Sequence, residues 1–205
     1  MASTDKHETL DPVFANAVNN KLTPEQKIKD LKNVIQATKT GMLTSRDKSG
    51  YLHARAMTPA SPQSETQLNL FFIANSASHK FDELDNDSHV NVSFYNEKTT
   101  DWASFAGIAK ISHDREEIKK YWSPMFAGYF GDLGDGVHKG DVNDPRVTLI
   151  EVVPEEIEYW VSRHGVIGRT VEVAAAAVTG KGHAPGELRV ISKEEIQLTQ
   201  GLHAK

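Results

Sequence analysis

The amino-acid sequence predicts a mainly-β protein, a β-barrel with flanking helices. Three features point there. Segments of period-two alternation recur, as with Val90, Val92 and Phe94 in HVNVSFYN. Turn-forming stretches such as DKSG separate them. Segments at helical spacing are few. About six antiparallel strands with short turns suggest a small closed barrel, which leaves no sheet edge unpaired.

Residues 1–20 are polar and aperiodic and read as a loosely held, flexible arm. TPEQKIKDLKNVIQATKT then predicts a helix. Thr23 is a good N-cap, Pro24 suits the first helical position, and Gln26 completes a capping box. Ile28, Leu31, Val34 and Ile35 mark its apolar face, and Gly41 is expected to end it. MLTSR, DKSG and YLHARAMT read as a β-hairpin. A Pro/Ser loop leads into LNLFFIAN, a strand, and HKFDELDN, a short helix with Ser78 as a candidate cap.

HVNVSFYN and DWASFAGIAKIS are strands, with Gly107 a possible bulge or close-approach point. DREEIKKYW is a helix capped by Asp114. SPMFAGYFGDLGDGVHKGDVNDP reads as a long surface loop, and RVTLIEVVPEEIEYWVS as strand with a Pro-marked break. The Ala run tips residues 169–182 toward helix. Residues 21–163 thus form the barrel domain, and 164–205 an extension packing on the barrel or a partner.

Net charge is −5, from 23 basic and 28 acidic residues, so no overall field attracts nucleic acid or an anionic membrane. Any anion site must be local. The chain contains no Cys, which excludes a disulfide scaffold, thiolate metal sites, a Cys nucleophile and a cysteinyl–flavin adduct. MASTDKHETLDP lacks an apolar core and no long apolar run follows, so a soluble cytoplasmic protein is expected. The nine His residues are scattered without metal-ligand spacing, and no metal site is expected. GDLGDG resembles a phosphate loop in letters alone, since its Asp residues would repel phosphate; it reads as a turn.

One coincidence of features carries chemistry. Arg55 lies on a strand whose neighbours Ala54 and Ala56 point to the other face. Ser78 and Lys80 follow the end of LFFIAN, so a guanidinium and an ammonium could converge on one anion, with helix amides adding donors. Trp102 and Trp160 lie in strands, where they either fill core or wall a planar ring. A phosphate anchor beside a flat aromatic group makes flavin mononucleotide (FMN) the leading candidate ligand.

RAM at 55–57, FFIANSASHKFDEL at 71–84, VNVSFY at 90–95, DWASFAGIAKI at 101–111, EEIKKYWSP at 116–124 and DPRVTLIEVVPEEIEYW at 144–160 occur in one characteristic order. Together they resemble the general-stress-protein-26-like branch of the pyridoxamine 5′-phosphate oxidase-like superfamily, with its fungal blue-light-inducible type. The resemblance implies an FMN-binding split β-barrel working as a homodimer, with flavin between the subunits. It implies that Arg55 and Lys80 neutralise the phosphate and Ser78 donates its hydroxyl. Ala56, Met57, Thr58, Ile73, Ala74 and His79 complete the cofactor positions it implies. Trp102 stands where related oxidases carry a ring-edge Gln from the partner subunit, and Trp160 holds the aromatic position near the barrel end.

True pyridoxamine-phosphate oxidases follow this Trp with Arg-x-His, whereas VSRHGVIGRTV offers Arg163, His164 and Arg169 without that spacing. Vitamin B6 oxidation is therefore not expected. Two readings remain: an FMN-dependent oxidoreductase of unknown substrate, or a non-enzymatic flavin binder acting as sensor, carrier or scavenger. His53 and His79 are acid–base candidates only through their residue type. A haem-binding barrel ranks below both, because no axial ligand can be assigned.

Overall fold

The computed structural model describes residues 11–19, 21–163 and 184–202, and among these two helices precede the sheet: α1 (Pro12–Ala17) and α2 (Pro24–Thr38). The elements that follow are β1 (Gly41–Arg46), β2 (Leu52–Met57), β3 (Leu70–Asn75), α3 (Lys80–Asn86), β4 (His89–Tyr95), β5 (Trp102–Ser112), α4 (Arg115–Tyr121), α5 (Ala127–Phe130), β6 (Val147–Ser162), β7 (Gly186–Ile191) and α6 (Lys193–Leu202). The helix expected over 169–182, with His164 and Arg169, lies outside the described residues.

Helix α2 starts with the capping box its sequence encodes: Thr23 Oγ1 accepts from the Gln26 N–H, and the Gln26 side chain accepts from the Thr23 N–H. Ile28, Leu31 and Val34 are buried along one stripe, each burial worth about 1.5–3 kcal/mol. Thr23→Ala is expected to cost about 1 kcal/mol in urea denaturation, because one N-terminal N–H loses its acceptor. An unchanged midpoint would contradict that role. The helix stops before Gly41. Lys39, at φ +62°, forms the C-cap and returns its N–H to the Ile35 carbonyl. Gly41 instead opens β1 because space is short, since a Cβ there would lie 2.9 Å from the Phe94 ring.

The strands form an antiparallel sheet in the order β2-β1-β4-β5-β6-β3, with β7 also paired to β6. Strand β6 organises it. Val147–Val152 pairs with β3, Ile157–Ser162 pairs with β7, and both stretches pair with β5 on the opposite edge. The sheet curls into a half-barrel rather than the closed barrel suggested by strand count. Among the described residues no ladder joins β2 to β3 or β7. Alternation reports which face is buried, not which edges meet, so closure was not encoded in it.

Pro154 does not break β6 but marks a bulge. Ala106 pairs with Glu156 and Gly107 with Pro154, which leaves Glu155 as the extra residue. Gly107 is there because backbone meets backbone: a Cβ would sit 2.2 Å from the Val153 carbonyl oxygen. Gly107→Ala should therefore cost at least about 1–3 kcal/mol in urea denaturation. Wild-type stability in that variant would refute the close approach.

Leu43, Phe72, Val92, Phe94, Phe105, Ile157 and Tyr159 fill the inner face of the half-barrel, with α2 packed against it. Tyr159 is buried, its hydroxyl donates to the Lys27 carbonyl at 2.8 Å, and burial pushes its pKa up to about 12. Strand β3 is covered on both faces, which explains its unbroken apolar run. Phe71 and Ile73 join a second core with Ile118, Phe130, Val147 and Leu149 beneath α4 and α5. Asp114 caps α4 through the Glu116 N–H, as expected.

The long loop contains a 3-10 turn at Pro124–Phe126 and helix α5 before its glycine turns at Gly134 and Gly136, both at positive φ. Buried Asp144 anchors its end. Its carboxylate takes Arg146 Nε at 3.0 Å, Arg146 Nη2 at 2.7 Å and the Gly140 N–H at 2.7 Å.

The polar N-terminal stretch, read as a loose arm, is docked where it is described. Ala17 is buried, Val18 bridges Leu188, and the Asn19 amide donates to Glu187. A single bridge and one small buried residue leave no periodicity to detect. The described part of the C-terminal extension also packs on the barrel through β7 and α6, tied by the Lys27–Glu195 ion pair at 2.8 Å.

Candidate functional site

Alternation in β2 turns Arg55 toward the face shared with Leu43, its opposite residue, and with Ser45, two residues further along β1. Helix α3 crosses this hairpin and supplies Glu83. Three side chains then close a network: Arg55 Nη1 donates to Ser45 Oγ at 2.5 Å, Arg55 Nη2 donates to Glu83 Oε2 at 2.5 Å, and Ser45 Oγ donates to the same carboxylate oxygen. Ser45 is buried and the Glu83 side chain nearly so. Burial works to raise the Glu83 carboxyl, but the Ser45 and Arg55 hydrogen bonds outweigh it and hold it below the usual range. The carboxylate is charged at neutral pH.

Lys80 stands beside this network. Its Nζ donates to Ser78 Oγ at 2.6 Å, and Ser78 Oγ donates to the Asn75 carbonyl at 2.8 Å. The Ser78 hydroxyl therefore faces Lys80 and does not cap α3, whose first turn has no side-chain cap. At seven residues α3 is also too short to add much dipole, so the amide donors expected there carry little of the site. Burial lowers the Lys80 pKa, and the Arg55 charge lowers it further against the attraction of Glu83. Two cations and one carboxylate leave a local excess of positive charge. Among the described residues Lys80 has a neutral hydroxyl as its hydrogen-bond partner and no carboxylate at ion-pair distance.

The other positions separate into groups. Met57 follows Arg55 on the same face of β2 and packs on the main core. Thr58 is exposed with its hydroxyl 3.3 Å from that of Thr40, and Ala56 is exposed on the outer face. Ile73 and Ala74 are buried in β3 and paired to β6, with Ile73 directed into the second core. The His79 side chain is fully exposed, 3.6 Å from Asp82. His53 is half exposed, with Nε2 3.1 Å from Asp47.

Trp102 and Trp160 face each other across β5 and β6 on the outer surface, against Val18, Ala17 and Leu188. Gly186 makes room for them, since a Cβ there would lie 2.5 Å from the Trp160 indole. Within one chain these rings and Arg55 lie on opposite faces of the sheet, with Trp102 three strands and Trp160 four strands from β2. Trp122 is half-buried and packs against the second core beside Phe126 and Phe130. Ser45 and Glu83 escaped the sequence reading. The available signals were a Ser at an inward position of β1 and a carboxylate one helical turn after Lys80.

Residues 26–184 match the family model described as pyridoxamine 5′-phosphate oxidase like. The chain belongs to the pyridoxamine 5′-phosphate oxidase-like family. Among curated relatives it is 39% identical over 198 residues to Protein bli-3 of Neurospora crassa, covering 96% of this chain and 94% of that one. Its fold is shared with a Clostridium acetobutylicum protein related to general stress protein 26, at TM-score 0.56 and 17% identity over 69% of this chain and 93% of that one. General Stress Protein 26 from Bacillus anthracis matches at TM-score 0.54 and 20% identity, over 65% and 93% of the two chains. An FMN-binding, pyridoxamine 5′-phosphate oxidase-related protein of Nostoc punctiforme matches at TM-score 0.54 and 13% identity, over 69% and 85%. The family and the mainly-β fold inferred from the sequence motifs are thus correct.

Proposed function

We propose that this chain binds FMN and serves as a flavin-dependent oxidoreductase. The observation that carries the reading is the Arg55–Lys80–Ser78 cluster, a partly buried excess of positive charge at the end of β3. Arg55 and Lys80 hold the phosphate by charge-assisted hydrogen bonds and Ser78 adds a hydroxyl. Met57, Thr58 and the ends of β2 and β3 border the rest of the cofactor. When bound, FMN supplies hydride or electron transfer, and the chain's own residues bind, orient and shield it.

A second copy completes the site in this reading. The outer sheet face presents small residues, Ala54, Ala56, Thr44, Ser93, Ser104 and Ala106, beside exposed Met42, Leu52 and Tyr95. Such a face of small side chains suits a homodimer contact, which brings Trp102 and Trp160 of one copy toward the flavin of the other. FMN titration followed by flavin fluorescence should saturate at about one FMN per chain, with NAD(P)H reducing the bound flavin over repeated turnovers. Absence of saturable binding would defeat the reading.

One observation favours a non-enzymatic flavin binder as the second reading. Arg163, the nearest basic residue after the Trp160 strand, is tied to the β7 end: its N–H donates to the Pro185 carbonyl and its guanidinium lies 3.6 Å from Glu187. Glu187 thus partly offsets the charge that a substrate phosphate would need. Tight FMN binding without turnover across donors and acceptors would establish this alternative.

A further inference from the structure

We propose that Glu83 is a built-in counter-charge that limits how tightly the Arg55–Lys80 seat holds a phosphate group, so that the bound phosphomonoester is releasable. This rests on the anion seat of the functional reading but concerns a residue that reading does not use. The Glu83 side chain is only 12% exposed, and one oxygen accepts from both Ser45 and Arg55. It therefore stays in place as a fixed charge instead of swinging into water. Of the five guanidinium N–H donors, Arg55 spends one on Glu83 and one on Ser45. Among the described residues the others have no hydrogen-bond partner, so the carboxylate orients Arg55 without consuming it.

The cost is electrostatic. Without Glu83 the seat would carry two positive charges; with it the local sum is one. A phosphomonoester brings about −1.5 to −2 at neutral pH, so the loaded seat carries net negative charge and Glu83 repels the ligand at short range. Ligand binding and Glu83 thus compete for the same two cations. An isosteric amide keeps an oxygen acceptor for Ser45 and Arg55 while removing the charge, and so separates positioning from repulsion.

The test compares wild type with Glu83→Gln and Glu83→Ala by calorimetry, using FMN, riboflavin and inorganic phosphate as probes. Glu83→Gln is expected to tighten FMN and inorganic phosphate about tenfold and to leave riboflavin, which lacks the phosphate, within about twofold. Glu83→Ala should gain less than Glu83→Gln, because it also releases Arg55. Unchanged or weaker phosphate and FMN binding in Glu83→Gln would overturn the proposal, whatever flavin does. Tighter phosphate with no FMN binding in any variant would support the counter-charge and refute the flavin reading. Thermal unfolding of each variant confirms that a folded chain is being titrated.

Discussion

The Arg55→Ala/Lys80→Ala double variant is expected to bind FMN on the order of a thousandfold more weakly than the wild type. Each charge-assisted hydrogen bond is worth about 1.5–3 kcal/mol, and each 1.4 kcal/mol is about a factor of ten in affinity. The two side chains sense each other's charge in the same small space, so their effects should not sum fully. Single variants should each lose roughly tenfold to a hundredfold. Riboflavin provides the control, since a pure phosphate anchor leaves its affinity unchanged. Equal losses for FMN and riboflavin would instead mean that the β2 and β3 ends had been disrupted. FMN binding at wild-type strength in Lys80→Ala would remove the anchor from this site.

Asp144→Ala should destabilise the long loop by about 1–3 kcal/mol, because it removes the buried carboxylate that accepts from Arg146 and the Gly140 N–H and leaves those donors short of an acceptor. The pair closes the loop onto α5, with the Arg146 guanidinium also donating to the Phe130 and Gly131 carbonyls. The Arg146 hydrogen bonds hold the Asp144 carboxyl well below the usual carboxylate range. A depressed folded-state pKa contributes stability that is complete above the unfolded-state value of about 3.9 and fades as pH falls below it. Wild type should therefore lose stability on acidification below about pH 4 more steeply than Asp144→Asn does. Urea denaturation at neutral and acidic pH measures both. Parallel acid profiles for the two proteins would show that Asp144 contributes no such linkage.

Much of this fold was legible in local chemistry. The Thr23–Gln26 capping box, the Asp114 cap and the alternation of β4 and β5 each arise from residues adjacent in sequence, and each stands in the structure. Pairing across distance was harder to see. Pro154 looked like a strand break because the bulge that accommodates it depends on Gly107, almost fifty residues earlier. Strand β7 and helix α6 were missed because their stability comes from β6 and from the Lys27–Glu195 pair, partners far along the chain.

The site divides in the same way. Arg55, Ser78 and Lys80 form a cluster because a strand face and a strand end suffice to position them. Ser78 was assigned the wrong hydrogen bond, since local capping competes with a Lys two residues on. Glu83 and Ser45 were overlooked because their roles exist only once α3 crosses the hairpin. Trp102 and Trp160 do pair, but on the face away from Arg55, packed with Ala17, Val18 and Leu188.

The absorption spectrum of the purified protein tests most directly whether Arg55 and Lys80 hold a flavin phosphate. After incubation with FMN and removal of free ligand, the protein should retain flavin bands near stoichiometry. The Arg55→Ala/Lys80→Ala variant, treated alike, should emerge without them. A wild-type spectrum free of flavin bands, or one dominated by a haem band, would contradict the account.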